Sequence, residues 1–291
     1  MRRPRGLAEY SYIFPVMAIL IGVLVLPSIA ALVMAFYRRE FFTGETRFIG
    51  LANYLELFSD PRTLLDLRNT ILYTIGAVAI EFVFGLGMAL LLNKETKGIR
   101  LARAAVLSPW VLSPVIVGLT WRMLFHANFG VVGYLLGLIY KPLADIAWLA
   151  QPSSALLVDI LGDVWQNVPF VAMLLLAGLQ VLPQEPYEAA KVDGASAWQT
   201  FIFVTLPMLM PSITAVMAFR TIWAFREFTI PWTITGGGPG YSTEVFSIYL
   251  YRKLLAYHDM GGASAIGSIM LVLTILLSFV ILRRMWRGFQ E

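Results

Sequence analysis

The sequence predicts an all-α integral membrane protein with six transmembrane helices. Of the 291 residues, 58% are apolar and 14% are charged. Water-soluble domains contain about 45–50% apolar and about 25% charged residues, so the chain is too hydrophobic for that class. The apolar residues also fall in blocks long enough to cross a bilayer, for which about 20 residues are needed. These two observations exclude an ordinary soluble domain.

Six apolar blocks correspond to the predicted transmembrane helices. The first contains no charged residue and is longer than the apolar core of a cleaved signal peptide, so we expect it to stay in the bilayer. Prolines inside the spans, such as Pro109 and Pro114 in the third, free carbonyl groups that neighbouring helices can satisfy. The predicted spans are residues 12–37, 70–92, 104–125, 155–182, 212–234 and 263–282.

The distribution of Lys and Arg predicts that both termini are cytoplasmic. Cytoplasmic loops of membrane proteins carry an excess of these residues. With the N-terminus inside, the inside segments hold 11 Lys and Arg residues in 60, whereas the outside segments hold 8 in 89. The net charge of +4 therefore follows from membrane topology and indicates no nucleic-acid partner. The inside segments are residues 1–11, 93–103, 183–211 and 283–291.

Several kinds of site are excluded or disfavoured by the residue content. The chain has no cysteine, which excludes disulfides, thiolate nucleophiles and cysteine-based metal sites. His126 and His258 are far apart and near predicted helix ends, so we expect polar surface residues and no metal site. The apolar segment 128–139 is too short to cross the bilayer, and it predicts an interfacial helix or a re-entrant packing segment.

Polar residues inside the fourth and fifth spans are candidates for a substrate pathway, because such residues are costly in a bilayer and usually functional. In each of the two spans these polar residues recur at helical spacing, so they share one face of the helix. Trp165 lies beside the face of the fourth span, and Trp223 lies on the face of the fifth. Sugars bind to carboxylate, amide and guanidinium groups and stack on aromatic rings. The pathway candidates are Asp163, Trp165, Gln166, Asn167, Arg220, Trp223 and Glu227.

The same residues permit a structural interpretation. Arg220 could form an ion pair with Asp163 or Glu227 inside the helix bundle, and the tryptophans could pack in its core. Glu81 lies near the middle of the second span, which contains no basic residue. Because an isolated buried carboxylate is costly, Glu81 either pairs with an arginine of another span or is protonated.

The segment between the fourth and fifth spans is long, weakly charged and partly apolar. Pro186 suits the first turn of a helix, and Glu188 lies where a helix N-terminus favours negative charge. Gly194 is expected to end this helix. A second helix over residues 195–203 places apolar side chains on one face, and Pro207 marks the return to the bilayer. The predicted helix–turn–helix has an apolar face that packs on the membrane domain or on a partner.

This segment closely resembles the EAA motif of ABC importer permeases. The residues that carry the resemblance are Glu188, Ala189, Ala190, Gly194, Leu206 and Pro207. Val204 stands where the family pattern has isoleucine. The resemblance implies a type I ABC importer permease fold. Its expected parts are a first helix and outside loop (1–69), a permease core (70–283) containing the coupling loop (183–210), and a cytoplasmic tail (284–291).

The resemblance also implies a mechanism driven by a partner. In this family the EAA helix docks on a separate cytoplasmic ATPase subunit, and ATP-driven closure of the ATPase dimer switches the pathway from inward-facing to outward-facing. Glu188 would then be a polar contact and Gly194 a tight turn. The chain lacks the G-x-x-x-x-G-K-[ST] phosphate loop, and no Lys-Ser/Thr pair follows its glycine-rich run 236–240. We therefore expect no enzyme activity and no cofactor on this chain, with ATP and Mg²⁺ on the partner ATPase.

Residues 223–228 and 232–244 resemble the sugar branch of these permeases, the MalF-like subunits for di- and oligosaccharides and glycerol phosphate. This implies carbohydrate uptake across a bacterial inner membrane. The implied partners are a second homologous permease, two ATP-binding subunits and an extracytoplasmic solute-binding protein. One alternative is a permease of the same superfamily for a polyamine, phosphate or amino acid. Another is an ion-coupled transporter or membrane enzyme, in which Glu81, Asp159 and Asp163 would form a proton or metal site.

Overall fold

The structure is a computed structural model in which five helices of the described part are long and apolar enough to cross a membrane. A bent helix pair makes a sixth span if the pair is counted as one, so the predicted all-α fold with six spans is confirmed. The described backbone comprises residues 7–39, 43–94 and 96–288, with side chains from residue 13 to residue 283. The side chains of the predicted inside arginines Arg2, Arg3 and Arg5, and of the tail 284–291, lie outside this part.

The first compact unit comprises Met1–Pro61 and Tyr249–Val272. The side-chain amide of Asn53 donates to the carbonyls of Ala35 (2.7 Å) and Tyr37 (3.1 Å). These bonds connect the residue after the helix that ends at Met34 to the strand that begins at Tyr37. The two strands of this unit pair antiparallel. Its elements are α1 (Leu7–Leu20), a π-helical turn (Ile21–Val25), α2 (Leu26–Met34), β1 (Tyr37–Arg39), β2 (Thr46–Phe48) and α3 (Ala52–Ser59).

The first transmembrane helix runs over Ile13–Met34, close to the predicted span 12–37. Its 22 residues have an apolar surface, and none of its most apolar stretch is buried within the described part of the chain. Lipid tails are as apolar as leucine, so such a surface is stable against lipid or against another membrane helix.

The second unit comprises Arg62–Ile248 and Leu273–Glu291. Its first elements are α4 (Pro61–Leu92), α5 (Ile99–Val106), α6 (Ser108–Val111), α7 (Pro114–Leu124), α8 (Val131–Ile139) and a 3₁₀ turn (Lys141–Leu143). Next come α9 (Pro152–Gln180), α10 (Glu185–Val192), α11 (Ala197–Thr200), a π-helical turn (Phe201–Thr205), α12 (Leu206–Phe225) and α13 (Thr229–Ile234). Residues of both units belong to α14 (Phe246–Tyr251) and α15 (Met260–Gly288), which a π-helical turn (Arg252–Ala256) separates.

The core of the second unit lies between α4, α9 and α12. Leu86, Leu175 and Leu209, one from each helix, belong to the same buried apolar cluster. Gly85 permits the close approach of α4 to α9, because a Cβ atom at this position would lie 2.6 Å from Cγ1 of Val171. A small residue at a helix contact is the usual way for membrane helices to approach closely.

The predicted second, fourth and sixth spans are confirmed with shifted ends. Helix α4 extends the second span back to Pro61, and α9 begins at Pro152 and ends at Gln180. The sixth span lies within α15, which begins at Met260 and ends at Gly288. The short helix α8 falls inside segment 128–139, which was expected to form a helix too short to span.

The third span is broken, and the prediction of one continuous helix over 104–125 is wrong. Its two halves, Ile99–Val111 and Pro114–Leu124, meet at an angle of 86°. Ser113 is extended, with φ −60° and ψ 133°. A helical conformation at this position is disfavoured because the Pro114 ring clashes with the backbone of the residue before it. The proline therefore redirects the chain as well as removing a hydrogen bond.

The fifth span begins much earlier than the predicted 212–234. One helix runs over Ala197–Phe225, so the predicted second helix of the coupling loop is the beginning of this span. Pro207 does not separate the two, contrary to expectation. A π-helical turn precedes it, in which the N–H of Leu206 bonds to the carbonyl of Phe201 five residues back. This local widening accommodates a residue that has no N–H to donate.

The fifth span also ends earlier than predicted, at Phe225. The carboxylate of Glu227 accepts the backbone N–H groups of Thr229 (2.9 Å) and Ile230 (3.2 Å), at the beginning of α13. A carboxylate at a helix N-terminus satisfies N–H groups that have no partner within the helix. Glu227 therefore caps a new helix, and the prediction that it continues a face with Arg220 and Trp223 is wrong.

Candidate coupling segment and substrate pathway

The coupling segment, defined here as residues 184–207, begins with the short helix α10. Pro186 lies in its first turn, as predicted, and the acidic residues Glu185 and Glu188 lie there too. Gly194 follows the helix with φ +73°, a left-handed conformation that L side chains rarely adopt. The N–H of Ala195 bonds to the carbonyl of Ala190 (2.9 Å), so the turn satisfies a carbonyl at the end of the helix. The predicted tight turn at Gly194 is confirmed.

The second helix of the coupling segment begins with a capping box. Ser196 Oγ accepts the N–H of Gln199 (3.3 Å), and the Gln199 side chain accepts the N–H of Ser196 (2.8 Å). This reciprocal pair satisfies two N–H groups at the beginning of α11 and so holds the chain direction after Gly194. The turn and the capping box together give the exposed segment a defined shape.

The coupling segment presents much of its surface outward. Trp198 is 70% exposed and Phe203 is 75% exposed, although large apolar side chains usually lie inside. Phe201 contacts Trp198, with ring centroids 5.6 Å apart, but packs partly against the core cluster of α4, α9 and α12. Among the predicted coupling residues, Glu188, Ala189, Gly194 and Pro207 are exposed, and Ala190 and Leu206 are half-buried.

A buried charge network joins the three central helices. Arg220 of α12 donates to both carboxylate oxygens of Glu81 of α4, at 2.7 and 2.6 Å. It also donates to Asp163 Oδ2 of α9 at 3.1 Å. Asp163 Oδ1 accepts from the side-chain amide of Asn167 at 2.7 Å. Of the open alternatives, Glu81 pairs with an arginine of another span, and Arg220 pairs with Asp163 and not with Glu227.

The network places two predicted pathway candidates inside the chain. Arg220 and Asp163 are almost completely buried, whereas Asn167 is half-buried at the end of the network. Asp159, which shares their face in sequence, is not part of it. Its carboxylate instead accepts from the hydroxyl of Thr235 at 2.8 Å. The alternative of a proton or metal site required Glu81, Asp159 and Asp163 to act together. In the structure Glu81 and Asp163 bind Arg220, whereas Asp159 binds Thr235.

Gln166 has a role that the sequence analysis did not identify. Its side-chain amide donates to the carbonyl of Leu112 at 2.9 Å, at the break in the third span. One turn further along α9, Phe170 stacks on Trp110, with ring centroids 5.2 Å apart and planes 15° apart. These two contacts hold the bent chain against α9. The expectation that a neighbouring helix satisfies a carbonyl freed near Pro114 is thus confirmed.

A continuous row of aromatic rings crosses three helices. From Trp110 of α6 it passes to Phe170 of α9, then to Phe219 and Trp223 of α12. The last two centroid distances are 5.7 and 5.1 Å. Trp223 is 51% exposed, and Trp165 is exposed as well, so the expectation that the tryptophans pack in the core is wrong for this chain.

The exposed end of the aromatic row forms a pocket. Its volume is about 410 Å³, and its lining residues are Phe219, Ile222, Trp223 and Arg226. Arg226 is exposed, and no carboxylate of the described residues lies within ion-pair distance of it. The pocket therefore combines aromatic faces with one guanidinium group.

The glycine-rich segment 235–244 is anchored on both α9 and α4. Thr235 links Asp159 to Thr243, whose hydroxyl lies 2.8 Å from that of Thr235. The guanidinium of Arg62 donates to the buried carboxylate of Glu244 at 2.9 and 2.6 Å. From the sequence, this segment carries part of the resemblance to the sugar branch, but none of these anchoring contacts was predicted. Arg62 and Glu244 are 182 residues apart, so the sequence alone does not indicate that they form a pair.

Apolar spans with polar groups buried between them, together with the EAA-type coupling segment, are the features expected of an importer permease. The chain belongs to the family of binding-protein-dependent transport system inner membrane components, whose family model matches residues 82–288. It is therefore an inner membrane protein, and the resemblance to ABC importer permeases is confirmed.

Two relatives of known designation cover most of the chain. It is 35% identical to the trehalose/maltose transport system permease protein MalF of Thermococcus litoralis, over 94% of this chain and 90% of that protein. It is 36% identical to the sulfoquinovosyl glycerol transport system permease protein SmoG of Agrobacterium fabrum, over 91% of this chain and 86% of that protein.

A solved structure shares the fold. It is a chain of a bacterial alginate ABC transporter in complex with alginate pentasaccharide-bound periplasmic protein, with a TM-score of 0.80 and 24% sequence identity. The likeness covers 94% of this chain and 92% of that chain. At this identity the likeness establishes the type I ABC permease fold.

Proposed function

We propose that this chain is a membrane-spanning subunit of an ATP-driven importer that takes up a carbohydrate from an extracytoplasmic binding protein. It carries no ATPase site of its own, and ATP with Mg²⁺ is bound and hydrolysed by two copies of a separate subunit. A second, homologous permease completes the pathway. Both termini and the coupling segment face the cytoplasm.

The shape of the coupling segment supports docking on an ATPase subunit. A partner that fits a helix in a groove needs a helix with a defined direction and exposed contact groups. Helix α10 presents Glu188 and Ala189 outward, and the left-handed Gly194 and the Ser196 capping box fix the chain direction after it. The exposed Trp198 provides an aromatic side chain of the kind that contributes strongly to protein interfaces.

The row of aromatic rings that ends at Trp223 is the observation that carries the carbohydrate assignment. Sugar rings have apolar faces that stack on aromatic side chains, and their hydroxyl groups need hydrogen-bonding partners at the edges. Of the other pathway candidates on α9, the exposed Trp165 offers an aromatic face and the half-buried Asn167 offers an amide group. The relatives named for trehalose/maltose and for sulfoquinovosyl glycerol transport support the same class of substrate.

The assignment can be tested with Trp223→Ala in cells that produce the whole importer. We expect uptake of a labelled disaccharide to need a higher external concentration for half-maximal rate, by about 10-fold, since loss of one stacked ring costs about 1–3 kcal/mol by analogy with base stacking. Phe279→Ala is the matched control, because Phe279 is an exposed aromatic residue of a different span. Unchanged uptake kinetics in Trp223→Ala would remove the aromatic row from the pathway.

A second candidate substrate is a solute with an anionic group, and Arg226 favours it. Its guanidinium lines the pocket at the end of the aromatic row and lacks an ion-pair partner among the described residues. Guanidinium groups bind carboxylate, sulfonate and phosphate oxygens well. Competition of labelled disaccharide uptake by a neutral disaccharide and by one carrying a uronate distinguishes the two candidates. Stronger competition by the uronate in wild type, lost in Arg226→Gln, would favour the anionic solute.

A further inference from the structure

The four residues of the buried charge network form one unbroken chain of hydrogen bonds. It runs from Glu81 through Arg220 and Asp163 to Asn167. Glu81, Arg220 and Asp163 belong to α4, α12 and α9, so the network ties together the three helices of the unit's core. Each side chain except Asn167 is almost completely buried.

The network is also a geometrically strict connection. Arg220 uses Nε and Nη2 on the two oxygens of Glu81, and Nη2 also reaches Asp163. A guanidinium in this two-pronged arrangement fixes direction as well as distance. In a membrane core, a charge that loses its partner has no water to replace it, so the three helices are expected to move together.

Arg220 lies on a helix that extends from the coupling segment to the pocket at the end of the aromatic row. The helix Ala197–Phe225 is continuous from the coupling segment to the pocket, and Arg220 lies three residues before Trp223. A displacement at the coupling segment therefore reaches Arg220 along one helix. At the other end of the network, Asn167 is half-buried and lies on the same helix as the exposed Trp165.

We propose that Arg220 is a positioning residue that joins the coupling segment to the substrate pathway. Through Glu81 and Asp163 it makes α4, α9 and α12 respond as one body when the coupling segment moves. Through Asp163 and Asn167 it makes that response depend on what occupies the pathway. The inference rests on the proposed function, because it concerns how ATP hydrolysis on a partner is converted to movement of substrate.

Replacement of the three charged residues of the network by neutral ones separates this role from a structural one. Buried ion pairs can be replaced by well-packed apolar residues of similar volume without loss of stability, whereas removal of one partner is harmful. The triple variant Glu81→Leu/Asp163→Asn/Arg220→Met keeps the volume and removes every charge. If Arg220 only holds the fold together, this variant should transport normally.

The measurement is the number of disaccharide molecules imported per ATP hydrolysed, in proteoliposomes that contain the complete importer and its binding protein. We expect the triple variant to assemble and to hydrolyse ATP, with the transport ratio lowered at least about 5-fold, the lower end of effects between coupled sites. Arg122→Met is the control, because Arg122 is an exposed arginine at the end of another span. A wild-type ratio in the triple variant would overturn the proposal.

If the triple variant does not assemble, the single substitution Asp163→Asn tests the same proposal. Asp163→Asn preserves volume, but its amide group has one acceptor oxygen where the carboxylate has two, so either Arg220 or Asn167 loses its bond. We expect a lowered transport ratio again, and a normal ratio would overturn the proposal. Failure of the proposed function is distinguishable, because wild-type proteoliposomes would then import no disaccharide with ATP.

Discussion

The side-chain amide of Gln166 donates a hydrogen bond to the carbonyl of Leu112, 2.9 Å away, where the third span turns by 86°. The bond joins the long helix α9 to the break between α6 and α7. Four residues beyond Gln166, Phe170 stacks on Trp110, the first ring of the aromatic row. The bend in the third span and the aromatic row therefore depend on the same stretch of α9.

Gln166→Leu is predicted to destabilise the broken span. The substitution keeps a similar volume but removes the donor of a part-buried hydrogen bond, which costs about 0.5–1.5 kcal/mol. We expect the purified permease complex to unfold at a lower temperature in a thermal-shift measurement. Gln151→Leu is the matched control, because Gln151 is exposed at the beginning of the same helix and makes no side-chain cap. Equal unfolding temperatures for the two variants would contradict this role of Gln166.

Gly194 substitutions are predicted to act through backbone conformation and not through crowding. A Cβ atom at Gly194 would meet nothing within 4 Å, but the φ angle of +73° is strained for L residues. The left-handed conformation costs roughly 1–2 kcal/mol for most side chains and less for asparagine. We expect sugar-stimulated ATP hydrolysis to fall strongly in Gly194→Val, and less in Gly194→Asn.

The control for Gly194 is Gly87→Ala. Gly87 also has open space around its Cβ position, but its φ angle is not positive. We expect this variant to keep normal sugar-stimulated ATP hydrolysis. Equal activity in Gly194→Val and Gly87→Ala would show that the left-handed turn is not needed for coupling.

The pair of Arg62 and Glu244 is predicted to hold the glycine-rich segment 235–244 in place. Glu244 is completely buried, so Arg62→Gln removes the charge opposite a buried carboxylate, a change that costs about 3–5 kcal/mol. We expect a protease to cleave this segment faster in the purified variant. Arg68→Gln is the control, since Arg68 is exposed on the same helix. The same cleavage rate in both variants would contradict the anchoring role.

The spans and the coupling segment could be predicted from the sequence because local signals determine them. Apolar blocks of about 20 residues identify membrane helices. Proline in a first turn, a glycine after a helix and the EAA-type spacing located the coupling segment, and Gly194 has the predicted turn conformation. The end of the fifth span was missed because Glu227 caps the next helix instead of extending the apolar pattern.

The buried contacts could not be predicted because they join distant parts of the chain. The sequence shows that Glu81 needs a partner, but it does not show which arginine approaches it, and Arg220 is 139 residues away. Gln166 remains a predicted pathway residue, but its bond to Leu112 could not be predicted, because a side-chain amide can bind either a substrate or a backbone carbonyl. The break that provides its partner depends on how Pro114 redirects the third span.

Uptake by proteoliposomes tests the central claim, ATP-driven import of a carbohydrate, most directly. The vesicles contain this chain, its partner permease and the ATPase, with the binding protein and a labelled disaccharide outside. We predict that the disaccharide accumulates above its external concentration only when ATP is trapped inside and the binding protein is present. Accumulation without ATP, driven by a proton or sodium gradient, would contradict the account.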